Sequence, residues 1–227
     1  MAIKMRYAKR NSSNSNYREE SGITVFFRSI NECGGNRLSW LGFKENKNEF
    51  YSLSGDAGKD AVDALINEIY LANIEEKSQG NMEEDLGRCI EAMKGNKVVL
   101  DGGLEFLKID DDGERDSIVT GCCCGMEMAM NILSDLLRHE SPWMGHDPWV
   151  KMKERDGFFD ICDGEFPLVT FEKSEFHRYI KKAADEYMQF IEGPMTNRLR
   201  ELCPEMADEF IEAFKYDLAY PMLQLPR

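Results

Sequence analysis

Four Asp-Gly dipeptides, each set between short apolar segments, constrain the fold of this chain more than any other feature. Two lie at Asp101-Gly102 and Asp112-Gly113, and two at Asp156-Gly157 and Asp163-Gly164. An Asp-Gly pair favours the two-residue type I′ hairpin turn, because that turn needs positive φ at both central positions. The flanking segments are predicted strands: Val98–Leu100, Leu104–Ile109 and Asp116–Thr120 in the first set, and Trp149–Lys153, Phe158–Cys162 and Phe166–Phe171 in the second. The pattern therefore predicts two three-stranded antiparallel meanders.

Between and after the meanders, apolar residues recur at the three- and four-residue spacing typical of helices. The first predicted helix runs for roughly five turns from Asp56 and contains Ala61–Ala72. The other predicted helices are residues 82–94, Met126–His139, a long helix ending at Ile191, a short helix to Leu202, and a helix from Pro204 to about Leu218. Ser174 is the expected N-cap of the long helix, and Gly193-Pro194 is expected to break it. Pro204 suits the first turn of the last helix.

The N-terminal part differs from the rest of the chain. Residues 1–22 are polar and basic and are predicted to form an arm, whereas 23–227 are predicted to form a single domain. At the start of this domain, the stretch Ile23–Ile30, the turn residues Gly34-Gly35-Asn36 and the stretch Leu38–Phe43 predict a hairpin. The expected fold class is α+β, with antiparallel sheets of Asp-Gly-linked meanders packed against helices and a helical C-terminal third.

Charge limits which partners this surface would attract. The chain has 28 Lys and Arg against 42 Asp and Glu, a net charge of −14, and residues 1–43 carry +4, so the remainder carries −18. Acidic residues are densest over 56–116, where seventeen of them meet seven bases. A field of this sign repels nucleic acids and acidic membranes, and it speeds encounter with basic proteins. We therefore expect a continuous, solvent-facing acidic surface for a basic protein partner.

Three features bear on cellular location. No stretch approaches the about 20 apolar residues of a membrane-spanning helix, and no apolar segment follows the basic N-terminal residues as in a signal peptide. The chain has seven cysteines, an odd number that includes the run Cys122-Cys123-Cys124. Secreted proteins more often show an even, spaced set of cysteines paired in disulfides. The expected location is therefore the cytoplasm, with reduced thiols.

The cysteine run has three interpretations. Cys122 and Cys124 share one face of an extended segment, and with His139 or His146 they are candidates for a metal site, although zinc usually takes ligands from two separated pairs. Free cysteines also serve as small core side chains. Cys124 lies at an expected helix N-terminus, which stabilises a thiolate and so favours redox reactivity. No cofactor is expected.

An acidic hairpin tip is the first candidate for contacting a partner. It consists of Asp110, Asp111, Asp112 and Glu114. An EF-hand calcium loop is excluded, because its spacing would put Lys108 at the first ligand position. A solvated tip of this charge can dock against Lys and Arg side chains of a basic partner.

The loop from Ser141 to Trp149 is the second candidate, since it combines two Trp, two Pro and a His-Asp pair in nine residues. Aromatic side chains beside charged ones are typical of binding anchors, so Trp143, His146 and Asp147 are candidate partner contacts. Alternatively, both Trp pack into the core between helix and sheet, while His146 and Asp147 cap the turn.

An acidic α+β chain without catalytic motifs, carrying the Gly-His-Asp-Pro segment Gly145–Pro148 in a Trp-containing loop, resembles the immunity proteins of bacterial polymorphic toxin systems. The chain has no Gly-x-Gly-x-x-Gly, Walker or His-Glu-x-x-His motif. The resemblance implies a non-catalytic binding protein that masks the active site of a basic, nuclease-like toxin domain. The alternative is a small cytoplasmic hydrolase or transferase that uses His146 with Asp147 or Cys124.

Overall fold

A computed structural model describes residues 20–28, 50–73, 81–95, 98–120, 125–145 and 149–219 of the chain. In this part, the strands are β1 (Gly22–Arg28), β2 (Phe50–Ser52), β3 (Gly102–Ile109), β4 (Arg115–Val119), β5 (Val150–Arg155), β6 (Phe158–Asp163) and β7 (Phe166–Glu172). They form two antiparallel sheets, with the order β2-β1-β3-β4 in one and β5-β6-β7 in the other.

Helices accompany both sheets and make up the C-terminal part. Those in the described residues are α1 (Lys59–Asn73), α2 (Met82–Lys94), α3 (Gly125–Leu137), α4 (Lys173–Phe190), α5 (Thr196–Leu202) and α6 (Pro204–Phe214), with π-helical turns at Ile191–Met195 and Lys215–Ala219. Antiparallel sheets with a helical C-terminal part confirm the predicted α+β class. None of the described helices has the length and apolar character needed to cross a bilayer.

The second predicted meander is confirmed, because β5, β6 and β7 pair in sequence order. Its turns contain Gly157 with a φ of +79° and Gly164 with a φ of +59°, the left-handed conformation that favours glycine. The β3–β4 hairpin has the same feature at Gly113, whose φ is +77°. Three of the Asp-Gly dipeptides therefore lie in hairpin turns, as predicted.

The first predicted meander is wrong. Residues 98–100 are not a strand, and β3 pairs with β1 on one side and with β4 on the other. The Asp101-Gly102 dipeptide is not a turn, since Gly102 begins β3 and pairs with Phe27. A Cβ added to Gly102 would lie 2.6 Å from the carbonyl oxygen of Phe26. This glycine allows a close approach between two strands rather than a change of direction.

One apolar core joins both sheets to the helices, and its largest sheet face is that of β1 and β3. On one face of β1, Ile23, Val25 and Phe27 are at most 1% exposed, and β3 contributes buried Leu104 and Phe106 opposite them. α4 packs across β1, and α3 packs across β3. Burying each such side chain contributes about 1.5–3 kcal/mol, so this apolar face holds the sheet against α3 and α4.

Two expectations for the C-terminal helices are wrong. Glu172 precedes α4 and no side chain caps this helix, while Ser174 lies inside its first turn. Gly193-Pro194 does not end the helical path, because the chain continues through the π-helical turn Ile191–Met195 into α5. Proline has no N–H to donate, and the wider π-helical turn accommodates it. Thr196 closes this turn by donating its N–H to the Ile191 carbonyl oxygen.

Part of the predicted N-terminal organisation lies outside the described residues. This applies to Gly34-Gly35-Asn36, to Leu38–Phe43 and to residues 1–19 of the arm. In the described part, β1 confirms the strand predicted from Ile23, and its neighbours in the sheet are β2 and β3. The division into an arm over 1–22 and one domain over 23–227 stays a prediction.

Candidate partner-binding surface

The turn between β3 and β4 carries the acidic tip, which we define as Asp110, Asp111, Asp112 and Glu114, all exposed. Asp110 shapes this turn, because its Oδ1 accepts hydrogen bonds from the N–H groups of Asp112 at 3.0 Å and Glu114 at 2.8 Å. Its backbone carbonyl accepts a further bond from the Gly113 N–H at 3.0 Å. The local sequence therefore sets the shape of the tip without help from distant residues.

The other three residues of the acidic tip are not neutralised by an ion pair in the described part of the chain. The side chains of Asp111, Asp112 and Glu114 form no hydrogen bond or ion pair with described residues. Many Lys and Arg side chains are instead paired with acids elsewhere: Lys59 with Glu201, Arg88 with Glu84, Lys94 with Glu209, Arg138 with Asp135, Arg198 with Asp63 and Arg200 with Asp208. The acidic tip thus keeps neighbouring carboxylates available to an incoming cation.

Lys108 joins the β3–β4 hairpin to α4. Its Nζ lies 3.1 Å from a carboxylate oxygen of Glu175, in the first turn of α4. The same Nζ lies 5.8 Å from the centre of the Phe171 ring, near the end of β7, a distance that fits a cation–π contact. The acidic tip therefore lies on the side of the second sheet where β7 ends and α4 begins.

Exposed aromatic side chains mark the loop before β5 and the other end of the second sheet. Trp143 is 57% exposed, Trp149 55% and Phe166 66%. The carbonyl oxygen of Trp149 accepts a hydrogen bond from the Gly164 N–H at 2.9 Å, which brings Trp149 beside the turn that leads to Phe166. The Lys151 Nζ lies 5.6 Å from the centre of the Trp149 ring. The alternative in which both Trp pack into the core is therefore wrong.

The acidic tip and this aromatic end of the sheet do not form one cluster. β7 begins at Phe166 and ends at Glu172, next to the contact between Lys108 and Glu175. At about 3.3 Å per residue, the two ends of β7 are roughly 20 Å apart. A partner that contacts both regions must be a macromolecule rather than a small ligand.

Several predicted site residues lie outside the described part of the chain. His146, Asp147, Cys122 and Cys124 are all among them, so the metal, redox and catalytic hypotheses stay predictions. Within the described ranges, no group of three or more His, Cys, Asp and Glu side chains is arranged to hold a metal ion.

The cysteines that the structure does describe are core side chains. Cys89, Cys162 and Cys203 are buried free thiols. Burial, followed by the charge of Asp85, raises the pKa of Cys89 to about 12. Burial also raises the pKa of Cys162. The thiols of Cys89 and Cys162 therefore stay protonated and unreactive near neutral pH.

Part of the acidic excess is internal, which differs from the expected continuous acidic surface. Glu68 in α1 is 6% exposed, and Asp85 in α2 is 2% exposed. Asp85 and Arg88 both hydrogen-bond to the side chain of Tyr70, and burial, followed by the charge of Asp85, raises the pKa of Tyr70. The sequence holds a signal for this: Asp85 lies one helical turn before buried Cys89, and residues at that spacing share a helix face.

One contact between titratable side chains has no signal in the sequence. His139, just after α3, and His177, in α4, have their Nδ1 and Nε2 atoms 3.3 Å apart, although 38 residues separate them along the chain. Neither residue belongs to a recognisable motif. Only the packing of α3 beside α4 brings the two rings together.

Two shallow grooves run along the exposed side of α4. Their volumes are about 500 and 430 Å³, and Arg178 and Lys182 line both. The described residues that line them include neither histidine nor cysteine. The described lining residues are instead charged and polar side chains of α4, with Glu20, Ser21 and Ile109 beside them in the larger groove.

Comparison with known proteins gives no relative to guide the assignment. No family model, curated protein or solved structure matches the chain. A function for this chain is therefore inferred from the physical properties of its surface.

Proposed function

We propose that this chain is a non-catalytic binding protein whose acidic tip docks onto a basic protein partner. The observation that supports this most directly is that Asp111, Asp112 and Glu114 are exposed and form no ion pair with described residues. On a chain of net charge −14, such a tip attracts a cationic surface and raises the rate of encounter. Lys and Arg side chains of a partner would then form charge-assisted hydrogen bonds with these carboxylates.

The partner that we propose is a nuclease-like toxin domain, with this chain acting as its immunity protein in the cytoplasm. A nuclease binds the phosphates of its substrate with basic side chains. Carboxylates presented on a narrow turn can occupy those phosphate positions and so exclude the substrate. The resemblance to immunity proteins through Gly145–Pro148 agrees with this role.

Exposed aromatic residues supply a second contact in this proposal. Trp143 and Trp149 are large, exposed side chains of the type that anchors protein interfaces, and His146 and Asp147 belong to the same loop. The distance of roughly 20 Å between the ends of β7 fits within an interface of about 800 Å² per partner. No observation in the described part of the chain favours the hydrolase or transferase alternative.

The test compares charge removed from the acidic tip with equal charge removed elsewhere. The tip variant combines Asp111→Asn, Asp112→Asn and Glu114→Gln. A control variant removes the same number of charges from exposed acids in the helical C-terminal part: Asp185→Asn, Glu192→Gln and Glu212→Gln. Biolayer interferometry measures the association of each variant with a purified basic, nuclease-like domain encoded beside this gene.

We expect the tip variant to associate about ten times more slowly than the unaltered chain at about 0.05 M salt, because steering by the tip is lost. The difference should shrink near 0.5 M salt, where the Debye length is only about 4 Å. The control variant should slow association by about twofold at most. Equal slowing by both variants, or tight binding that the tip variant leaves unchanged, would contradict docking at the tip.

A further inference from the structure

Two histidines from distant parts of the chain meet beside the C-terminal end of α3. His139 Nδ1 lies 3.3 Å from His177 Nε2, and the rings meet edge-on, with their centroids 4.6 Å apart and their planes at 81°. His139 follows α3, and His177 lies in the second turn of α4. In a hydrogen bond between two imidazoles, one nitrogen donates its proton and the other accepts it with a lone pair.

His139 occupies a backbone position that normally favours glycine. Its N–H donates to the carbonyl oxygen of Leu136 at 3.1 Å, and the Glu140 N–H donates to that of Asp135 at 2.9 Å, which is the hydrogen-bond pattern of a Schellman motif. The φ of His139 is +60°, and no other non-glycine residue in the described ranges has a positive φ. A residue with a Cβ is disfavoured there, although histidine is found at positive φ more often than most residues. The contact with His177 offsets part of this cost.

Apolar rings and charged side chains lie close to the two histidines in space or along the chain. The ring centre of His177 lies 5.7 Å from that of Phe159 and 6.2 Å from that of Phe176. Burial, followed by His139 and then Lys173, lowers the pKa of His177. Lys173, the charged group that contributes to lowering the pKa of His177, bonds to Glu154 of β5. Arg138, which precedes His139, bonds to Asp135 and Glu140. Arg178 and Lys181 are the cationic residues that follow His177 within one turn of α4.

We propose that His139 and His177 form a pH-sensitive clasp that holds the segment after α3 against α4. Near neutral pH the two rings share a hydrogen bond. If one ring gains a proton, the other ring still has a lone pair that accepts the hydrogen bond. When both rings are protonated, the facing nitrogens are both donors and two positive charges lie side by side, so the bond is lost. Acidification therefore opens the clasp and removes the contact that joins His139, at the end of α3, to His177 of α4. The clasp does not depend on the proposed partner.

A double-mutant cycle with His139→Gly and His177→Gln tests the clasp. Glycine carries little risk to the fold, because it is the preferred residue at this backbone position. Unfolding temperatures are measured at about pH 8 and about pH 4. The lower value is well below the ordinary imidazole pKa of about 6.5, because the pKa of His177 is lowered. We expect the two substitutions to be coupled by about 2–4 °C at the higher pH. At the lower pH their effects should be additive, because the clasp is already open.

NMR titration of the histidines is a second test. It measures the pKa of His177, which backbone strain at His139 does not influence. With His139→Gly, the pKa of His177 should rise toward its ordinary value, because His139 contributes to lowering it. An additive cycle at both pH values would overturn the proposal, and so would a His177 titration that His139→Gly leaves unchanged. A coupling of equal size at both pH values would show a purely structural contact and would also overturn it.

Discussion

Asp217 lies in the π-helical turn Lys215–Ala219, where its Oδ2 atom is buried and has no hydrogen-bond partner among the described residues. Burial, followed by the charge of Glu127, raises the pKa of this carboxyl to about 6. The unfolded chain releases the same proton near a pKa of about 3.9. Since the folded chain binds this proton more tightly, the free energy of unfolding falls as the pH rises from about 4 to about 6.

Asp217→Asn removes the buried charge and keeps the size of the side chain. We expect it to raise the free energy of unfolding near neutral pH by about 1 kcal/mol. The gain should vanish near pH 4, where the aspartate of the folded chain is already protonated. Urea unfolding followed by circular dichroism at both pH values measures this, with the exposed Asp185→Asn as a control expected to change little. A gain that persists in acid would show that ionisation of Asp217 is not its source.

Individual residues differ in how far the sequence reveals their roles. The acidic tip could be predicted because its side chains and its turn come from neighbouring positions, with Asp110 bonding to its own hairpin. The helical spacing of Asp85 and Cys89 indicates that Asp85 is buried, but carboxylates usually face solvent, so the spacing alone does not predict this. The contact of His139 with His177 depends on how α3 and α4 pack, which no local pattern encodes.

Among the elements, glycines decide how closely β3 approaches its neighbours. A Cβ added to Gly103 would overlap the backbone carbonyl oxygen of Thr120, just after β4. Thr120 is fully buried, and its hydroxyl accepts a hydrogen bond from the Leu104 N–H at 2.8 Å, so its backbone has little room to move. We expect Gly103→Ala to lower the free energy of unfolding by about 2–3 kcal/mol, as measured by urea denaturation.

Gly87→Ala serves as the control for Gly103→Ala. Gly87 lies inside α2, and the nearest atom to an added Cβ is Met206 Cε at 3.8 Å, an ordinary contact. Alanine is the better helix former, so this change should raise the free energy of unfolding by about 0.5–1 kcal/mol. If both substitutions destabilised the chain to the same extent, steric overlap at Thr120 could not be the cause.

The Asp-Gly dipeptides show which elements the sequence reveals. The Asp-Gly sequence alone was enough to predict the hairpin turns at Asp112-Gly113, Asp156-Gly157 and Asp163-Gly164, because the strands that pair there are adjacent along the chain. At Asp101-Gly102 the same dipeptide precedes a strand whose partner, β1, lies far upstream. A glycine needed for close strand approach and a glycine needed for a turn look alike until the pairing is known.

At the scale of the whole molecule, repulsion among carboxylates opposes the compact state. The chain has a net charge of −14, and many of its bases are already held in exposed ion pairs such as Lys59–Glu201 and Lys94–Glu209. Each exposed pair contributes at most about 1 kcal/mol, whereas the unpaired acids repel one another across the surface. Salt weakens both the attraction within ion pairs and the repulsion among unpaired acids. We expect the weaker repulsion to have the larger effect, so that added salt stabilises the folded chain.

Thermal unfolding at two salt concentrations tests this balance. Between about 0.02 and about 0.5 M sodium chloride, the unfolding temperature should rise by roughly 2–4 °C. The tip variant, which has three fewer negative charges, should show a smaller rise. A fall in unfolding temperature with added salt would show that the surface ion pairs outweigh the repulsion.

The hydrogen bonds that Asp110 accepts within its own hairpin have a consequence for recognition. A loop that is already ordered before an encounter has little backbone entropy left to lose when it is bound. Preorganisation of this kind lowers the cost of association, so contact at the tip should give tighter binding per unit of buried area than contact through a loop that orders only on binding.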